Sequence, residues 1–365
     1  MKITFAFPRP SMTGGCRVVA IYAQALSDAG HQVTIVCPRY MYGGLANRTK
    51  RFLTGRLNRN TVLANSHFSG LKDVRVETVS PKKLSDPRKY PNADILIATW
   101  WKTVEWIADL PEKKGIQCYF VQHYEAHDEQ PLERVWNTYK TKLPKIVIAE
   151  WLAAVMANKF GDKDTHLVPN AVEHKDFFRP AGAATSENTF CSMYSESAFK
   201  GVDVTLAAFE KVRARAPEIK LKLFGAKALS EEITLPDGVE FIVLPSRDQL
   251  REIYASCRAY IFSSRSEGFG LPVLEALACG CPVIATRSGC APEYIKPDYN
   301  GYLNDIDDIA GQANAIERIL QLNSSEWQAM STAAVASVRD CSWTNSARTF
   351  ENVLDRIVAE STVCA

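Results

Sequence analysis

The chain has 365 residues, enough for two domains of ordinary size, and its 46% hydrophobic and 23% charged residues are those of a folded globular protein. No stretch approaches the roughly 20 apolar residues of a membrane-spanning helix, and the ten cysteines contain no CxxC pair, which argues against both a zinc site and a disulfide framework. The formal charge of +2 is unevenly spread: between Asp28 and Asp73 there is no acid, while Arg39, Arg48, Lys50, Arg51, Arg56, Arg59 and Lys72 supply seven positive charges. The opening "MKITFAFPRP" is too short in its apolar run for a leader, so a cytoplasmic protein with reduced thiols is expected.

In chain order, short apolar runs alternate with longer amphipathic ones, the pattern of parallel α/β sheets. The first half gives strands at "KITFAF", "QVTIVC", "VRVETV", "DILIAT", "QCYFVQ", "KIVIAE" and "THLVP". A helix is expected from the Gly14-Gly15 turn to a cap at Gly30. The second half repeats the scheme with strands at "TFCSMY", "IKLKLFG", "VEFIVLP", "AYIFSS", "CPVIAT" and "NGYLN". Helices are expected at "VDVTLAAFEKVRARA", "RDQLREIYASC", "LPVLEALACG" and "DIAGQANAIERILQL". Two doubly wound units in tandem follow, joined through the polar stretch Pro169 to Asn188, with any ligand at the carboxyl ends of the sheets.

The densest chemistry lies in "SSRSEGFGLPVLEALACG", Ser263 to Gly280. Gly268 and Gly270 let backbone amides approach a ligand, and the start of the helix at "LPVLEALACG" offers its dipole to a phosphate. Glu267 precedes the glycines, where a carboxylate orients a sugar hydroxyl. Glu275 falls near the helix start, where it suits a ribose. The competing reading is a glycine-rich turn and a helix start with favourable acids.

The surrounding text, "SSRSEGFGLPVLEALACGCPVIATRSGCAPEYI", resembles the C-terminal signature of glycosyltransferase family 4. "PNAVEHKDFFRP", "FKGVDVTLAAFEKV", "VLPSRDQLREIYASCRAYIFSS" and "NGYLNDIDDIAGQANAI" carry the likeness over most of the chain. The resemblance implies a GT-B fold, two Rossmann-like domains facing across a deep cleft. It places an acceptor-binding domain at 1–170, completed by 344–365, and a nucleotide-sugar domain at 171–343. It also implies retaining, metal-independent hexosyl transfer from a nucleotide-sugar donor to a glycan or lipid-linked acceptor, in cell-surface polysaccharide or glycolipid synthesis. Glu267 then holds the transferred sugar and Glu275 the ribose, with the amides of Gly268, Phe269, Gly270 and Leu271 between them. Lys200, followed by Gly201, matches the phosphate lysine, and His123 in "FVQHYEAHDE" the histidine that reaches the donor sugar on domain closure.

Relatives carry an arginine about five residues before that lysine, where this chain has Tyr194 and Ser195. Arg265 and Arg17 are the candidate substitutes. Gly14 and Gly15 offer amides to a phosphate or the acceptor, or form only a tight turn; without GxGxxG they do not support a dinucleotide site. His123, Glu125 and His127 also admit a weakly supported metal reading, and Trp100 or Trp101 either stacks on a sugar or fills the core. Asp305 or Asp307 is expected to cap the following helix rather than bind a metal. The basic stretch from Arg39 to Arg59 fits an anionic membrane surface better than nucleic acid, with a solvated element as the alternative. Two rivals stay open: a non-catalytic nucleotide-sugar-binding partner, and an epimerase or phosphorylase on the same fold.

Overall fold

The computed structural model describes residues 1–39, 61–127, 130–230 and 233–363. The basic stretch expected to face a membrane, Arg39 itself excepted, lies outside the described residues. The chain divides into two compact units, Met1–Pro169 with the segment from Thr344 onward, and Asn170–Trp343. No helix among the described residues is long and apolar enough to cross a membrane.

The first unit holds β1 (Lys2–Ala6), β2 (Gln32–Pro38), β3 (Arg75–Val79), β4 (Ile95–Ala98), β5 (Ile116–Val121), β6 (Lys145–Val147) and β7 (Thr165–Leu167). They form one sheet in the order β3-β2-β1-β4-β5-β6-β7, with every neighbouring pair parallel. Ile3 stands between Val33 and Ile95 in register, and all four residues of β4 are buried. That continuous burial is what a parallel sheet covered on both faces requires.

Helix α1 (Gly14–Asp28) buries Val18, Val19, Tyr22, Ala23 and Leu26 on one stripe. It ends as the sequence predicts. His31 donates its backbone N–H to Leu26 O at 3.0 Å and Gly30 donates to Ser27 O at 2.9 Å, with Gly30 at φ 91. This paired closure needs a left-handed residue, which glycine supplies without strain. Helices α2 (Trp101–Ile107), α3 (Leu132–Tyr139) and α4 (Glu150–Phe160) follow β4, β5 and β6. None of the three was marked in the sequence, because each is short and interrupted by aromatic or charged residues.

The C-terminal helix, Trp343–Val363, returns to this unit. Phe350, Val353, Leu354 and Ile357 are buried at helical spacing. The Phe350 ring stacks on Tyr22 at 4.5 Å and meets Phe120 edge-on at 5.2 Å. His31 Nε2 lies 2.8 Å from Glu351 Oε1.

In the second unit β8 (Thr189–Tyr194), β9 (Lys220–Gly225), β10 (Val239–Val243), β11 (Ala259–Phe262), β12 (Val283–Thr286) and β13 (Gly301–Asn304) pair in the order β10-β9-β8-β11-β12-β13, again all parallel. Helices α5 (Val202–Arg213) and α8 (Ile309–Gln321) pack Phe209, Val212, Ile316 and Ile319 against Phe190, Leu221, Leu223 and Ile284. Helix α6 (Arg247–Ser256) opens on a reciprocal cap: Ser246 Oγ accepts from Gln249 N and Gln249 Oε1 accepts from Ser246 N. Helix α7 (Leu271–Ala278) is buried at every position from Val273 to Ala278, and α9 (Ser324–Ser337) packs beside it. The nine cysteines among the described residues are all free. Both strand orders are Rossmann-like, with the direction of winding reversing between β1 and β4 and between β8 and β11.

Replacing Phe350 by alanine removes the ring that joins the C-terminal helix to Tyr22 and Phe120. Urea unfolding is expected to show a loss of about 3–5 kcal/mol at this buried aromatic, whereas Phe178→Ala, at an exposed ring, is expected to change the midpoint little.

Candidate functional site

In the second unit the loops leaving β8 and β11, the strands at the winding reversal, come together. After β8 the chain makes a tight turn, Ala198–Lys200, and closes it on Gly201 at φ 64. A Cβ on Gly201 would lie 2.0 Å from the carbonyl oxygen of Ser263, so only glycine lets the two loops approach this closely. Across that approach Lys200 Nζ donates to Glu267 Oε1 at 2.6 Å, and Ser264 Oγ donates to the same oxygen at 2.7 Å. The side chains of Lys200 and Glu267 keep only 19% and 10% of their exposure, so the pair is largely withdrawn from water. The loop beneath is anchored by Ser263 Oγ donating to Gln312 Oε1 at 2.9 Å.

From Glu267 the chain passes through Gly268 and the buried Phe269 to Gly270, which enters α7 at φ 96 with Pro272 in the first turn. Glu275, the candidate for the ribose, lies on α7 and is only 6% exposed, because α7 is enclosed by its neighbours.

Arg265, the candidate second phosphate cation, is engaged by acids of its own unit. Its guanidinium forms a two-pronged pair with Asp203 at 2.6 and 2.9 Å, donates from Nε to Asp307 Oδ1 at 2.7 Å, and reaches the Ala198 carbonyl. Hydrogen bonding to Asp203 and Asp307 holds its charge above the ordinary arginine range. Its own N–H donates to Phe199 O at 2.7 Å, so Arg265 straps the Glu267 loop to the turn that carries Lys200. The sequence held no signal for this beyond the acids themselves. Tyr194, where relatives were expected to carry arginine, is core: its hydroxyl accepts from Ser230 N and its ring meets Phe241 edge-on. The cap of α8 is Asp308, which accepts from Gly311 N at 2.8 Å, and not Asp305 or Asp307. Asp307 takes a left-handed backbone at φ 62 and spends its carboxylate on Arg265.

In the first unit the loops leaving β1, β4 and β5 carry the remaining candidates. Gly14 and Gly15 open α1. A Cβ on Gly14 would meet open space, and one on Gly15 would rest at ordinary contact, 3.5 Å, from Gln122 Oε1. Neither is required by the packing of this chain. Arg17 lies in the first turn of the same helix. Trp101 is fully buried and belongs to the core, whereas Trp100 is half-buried with Lys102 Nζ 4.9 Å from its ring centre. His123 Nδ1 lies 2.8 Å from the Tyr124 carbonyl oxygen. A carbonyl only accepts, so Nδ1 carries the proton and Nε2 is the basic nitrogen of the neutral ring.

Glu125 turns away from both neighbouring histidines and into the core. Its Oε2 accepts from the Tyr119 hydroxyl at 2.9 Å and from the Trp101 amide at 3.0 Å. Burial, only partly offset by those two donors, pushes its pKa up to about 8. Among the described residues no group of three or more His, Cys, Asp and Glu is placed to hold a metal.

Residues 174–335 match the family of glycosyl transferases, group 1. The match spans most of the second unit, Asn170–Trp343. The chain is 29% identical over 175 residues to N-acetyl-alpha-D-glucosaminyl L-malate synthase of Bacillus anthracis, a match spanning 44% of this chain and 45% of that one. It is 34% identical over 118 residues to D-inositol 3-phosphate glycosyltransferase of Mycolicibacterium smegmatis, spanning 32% and 26%. Each match covers less than half of the relative's length. The structure of Anabaena HepE in complex with UDP and glucose superposes with a TM-score of 0.74 at 16% identity, over 98% of this chain and all of that one. The fold is therefore GT-B, built from two Rossmann-like units.

The raised pKa of Glu125 makes a stability prediction. The folded chain keeps this proton to about pH 8 while the unfolded chain releases it near 4.5, so stability is lost as pH rises through that window. The wild type is expected to lose of the order of 4 kcal/mol between pH 4.5 and 8 relative to Glu125→Gln. Parallel urea titrations across that range give the comparison.

Proposed function

We propose that the protein is a retaining, metal-independent glycosyltransferase that moves a hexose from a nucleotide sugar to a hydroxyl of a glycan or lipid-linked acceptor. The observation that carries this reading is the Lys200–Glu267 pair at the winding reversal of the second sheet, beside the Gly268–Leu271 amides. Parallel sheets of this order take ligands there, and the group 1 match covers the same residues.

In the proposed reaction the donor diphosphate lies on the α7 amides and on Lys200. An ammonium carries three N–H donors, so Lys200 can keep Glu267 and still donate to a phosphate oxygen. The bond from the anomeric carbon to the phosphate oxygen breaks, and the electron pair leaves with the nucleoside diphosphate. Lys200 offsets that charge. Glu267 orients a hydroxyl of the sugar, the acceptor oxygen bonds the anomeric carbon on the face just vacated, and its proton passes to the leaving phosphate. The first unit takes the acceptor and contributes His123. UDP is the first nucleotide to try, since HepE is seen with UDP.

A second reading, nucleotide-sugar binding without turnover, is favoured by one observation: the Arg265 charge is spent on Asp203 and Asp307, which leaves Lys200 as the cation assigned to the leaving group.

Calorimetry with UDP, GDP, dTDP and ADP tests the donor site. One nucleotide is expected to bind, with Kd raised about 10- to 100-fold in Lys200→Ala, the loss of a charge-assisted hydrogen bond. No binding to any of the four contradicts the site. Slow hydrolysis of the matching nucleotide sugar without acceptor separates the transferase from the silent binder.

A further inference from the structure

The loop after β5 contains a carboxyl group that the proposed chemistry does not use. Glu125 is 8% exposed and stands two residues from His123. Its Oε2 joins three elements: the carboxyl's own loop, Tyr119 on β5 and the amide of Trp101 at the start of α2. The backbone on either side of Tyr124 is tied as well. The Tyr139 hydroxyl, on α3, accepts from Glu125 N at 2.9 Å and donates to His123 O at 3.2 Å. The rings of Tyr119, Tyr139 and Tyr124 stack in succession with centres 5.8 Å apart at each step. Tyr124 in turn supplies the carbonyl that receives His123 Nδ1–H. A chain of contacts thus leads from the Glu125 carboxyl, through the buried Tyr119 and Tyr139, to the loop that carries the imidazole.

We propose that Glu125 is a positioning residue for His123, its buried carboxyl and the Tyr139 hydroxyl together fixing the loop that sets the orientation and tautomer of the imidazole. This rests on the reading of His123 as a transfer residue. Loop packing alone does not call for an acid here, since placing a carboxyl in the core costs more than an apolar side chain of similar size. What the acid supplies is an acceptor that reaches Trp101 N and Tyr119 Oη at once, so the loops after β4 and β5 hold one relative position. Glutamine keeps that acceptor; alanine does not.

The test uses the full chain labelled with 15N-histidine, with the His123 resonances assigned by their loss in His123→Ala. Glu125→Ala and Tyr139→Phe are compared with Glu125→Gln. Tyr139→Phe keeps the stacked ring and loses only the hydroxyl, so it remains folded if the alanine variant does not. The expected result is that Glu125→Ala and Tyr139→Phe move the His123 ring nitrogens off the Nδ1–H pattern or shift its titration, while Glu125→Gln leaves both near wild type. Hydrolysis of UDP-glucose, or of the nucleotide sugar that calorimetry selects, is expected to fall tenfold or more in kcat with KM little changed in the first two, and to be restored in the glutamine variant. Unchanged His123 resonances in folded Tyr139→Phe and Glu125→Ala overturn the proposal. If the resonances move but His123→Ala hydrolyses donor like the wild type, the positioning stands and the transfer role assigned to His123 fails.

Discussion

All strands in both sheets pair in parallel, and most of the architecture follows from that one constraint. A parallel neighbour cannot be reached by a hairpin, so each connection crosses over, mostly through a helix, and every strand ends on the same edge of its sheet. Where winding reverses, two adjacent strands send their chains to opposite faces, and the loops that leave them stand side by side. In the second unit these are the loops after β8 and β11, which supply Lys200 and Glu267. In the first unit the loops after β1, β4 and β5 supply the glycine turn, Trp100 and His123. Topology thus brings the candidate residues of each unit to one edge of its sheet.

The two acidic centres show how surroundings decide what a carboxylate does. Glu267 faces an ammonium and a hydroxyl, and both take part of its charge. Glu125 meets only neutral donors in a dry core, so the proton stays on it to about pH 8. The first arrangement suits a group that exchanges partners when a charged ligand arrives. The second suits a fixed brace, because its described partners, the Tyr119 hydroxyl and the Trp101 amide, are neutral and belong to the core. Arg265 belongs with the braces: bidentate pairing to Asp203 and a third bond to Asp307 bind it into the wall of the site.

Strands were legible in the sequence because burial on both faces makes them plain apolar runs; β4 and β12 are buried throughout. Helices with a clean stripe or a cap were legible too, as α1 and α6 show. What was not legible were contacts between residues far apart in the chain. Arg265 carries the same charge whether it meets a phosphate or Asp203, and 62 positions separate that pair. The cap of α8 was misplaced by one residue because three acids stand within four positions, and only the left-handed turn at Asp307 shows that Asp308 faces the helix. The depth of Glu275 was not legible either, because it is set by the elements packed around α7, which a linear pattern does not display.

The central claim is that Lys200 and Glu267 form the donor site. A crystal structure of the chain with the nucleotide diphosphate that it binds tests it most directly. The account predicts a phosphate oxygen within hydrogen-bond distance of Lys200 Nζ and of the first amides of α7, with Glu267 beside it. A nucleotide bound elsewhere, with Lys200 still turned only to Glu267, would contradict it.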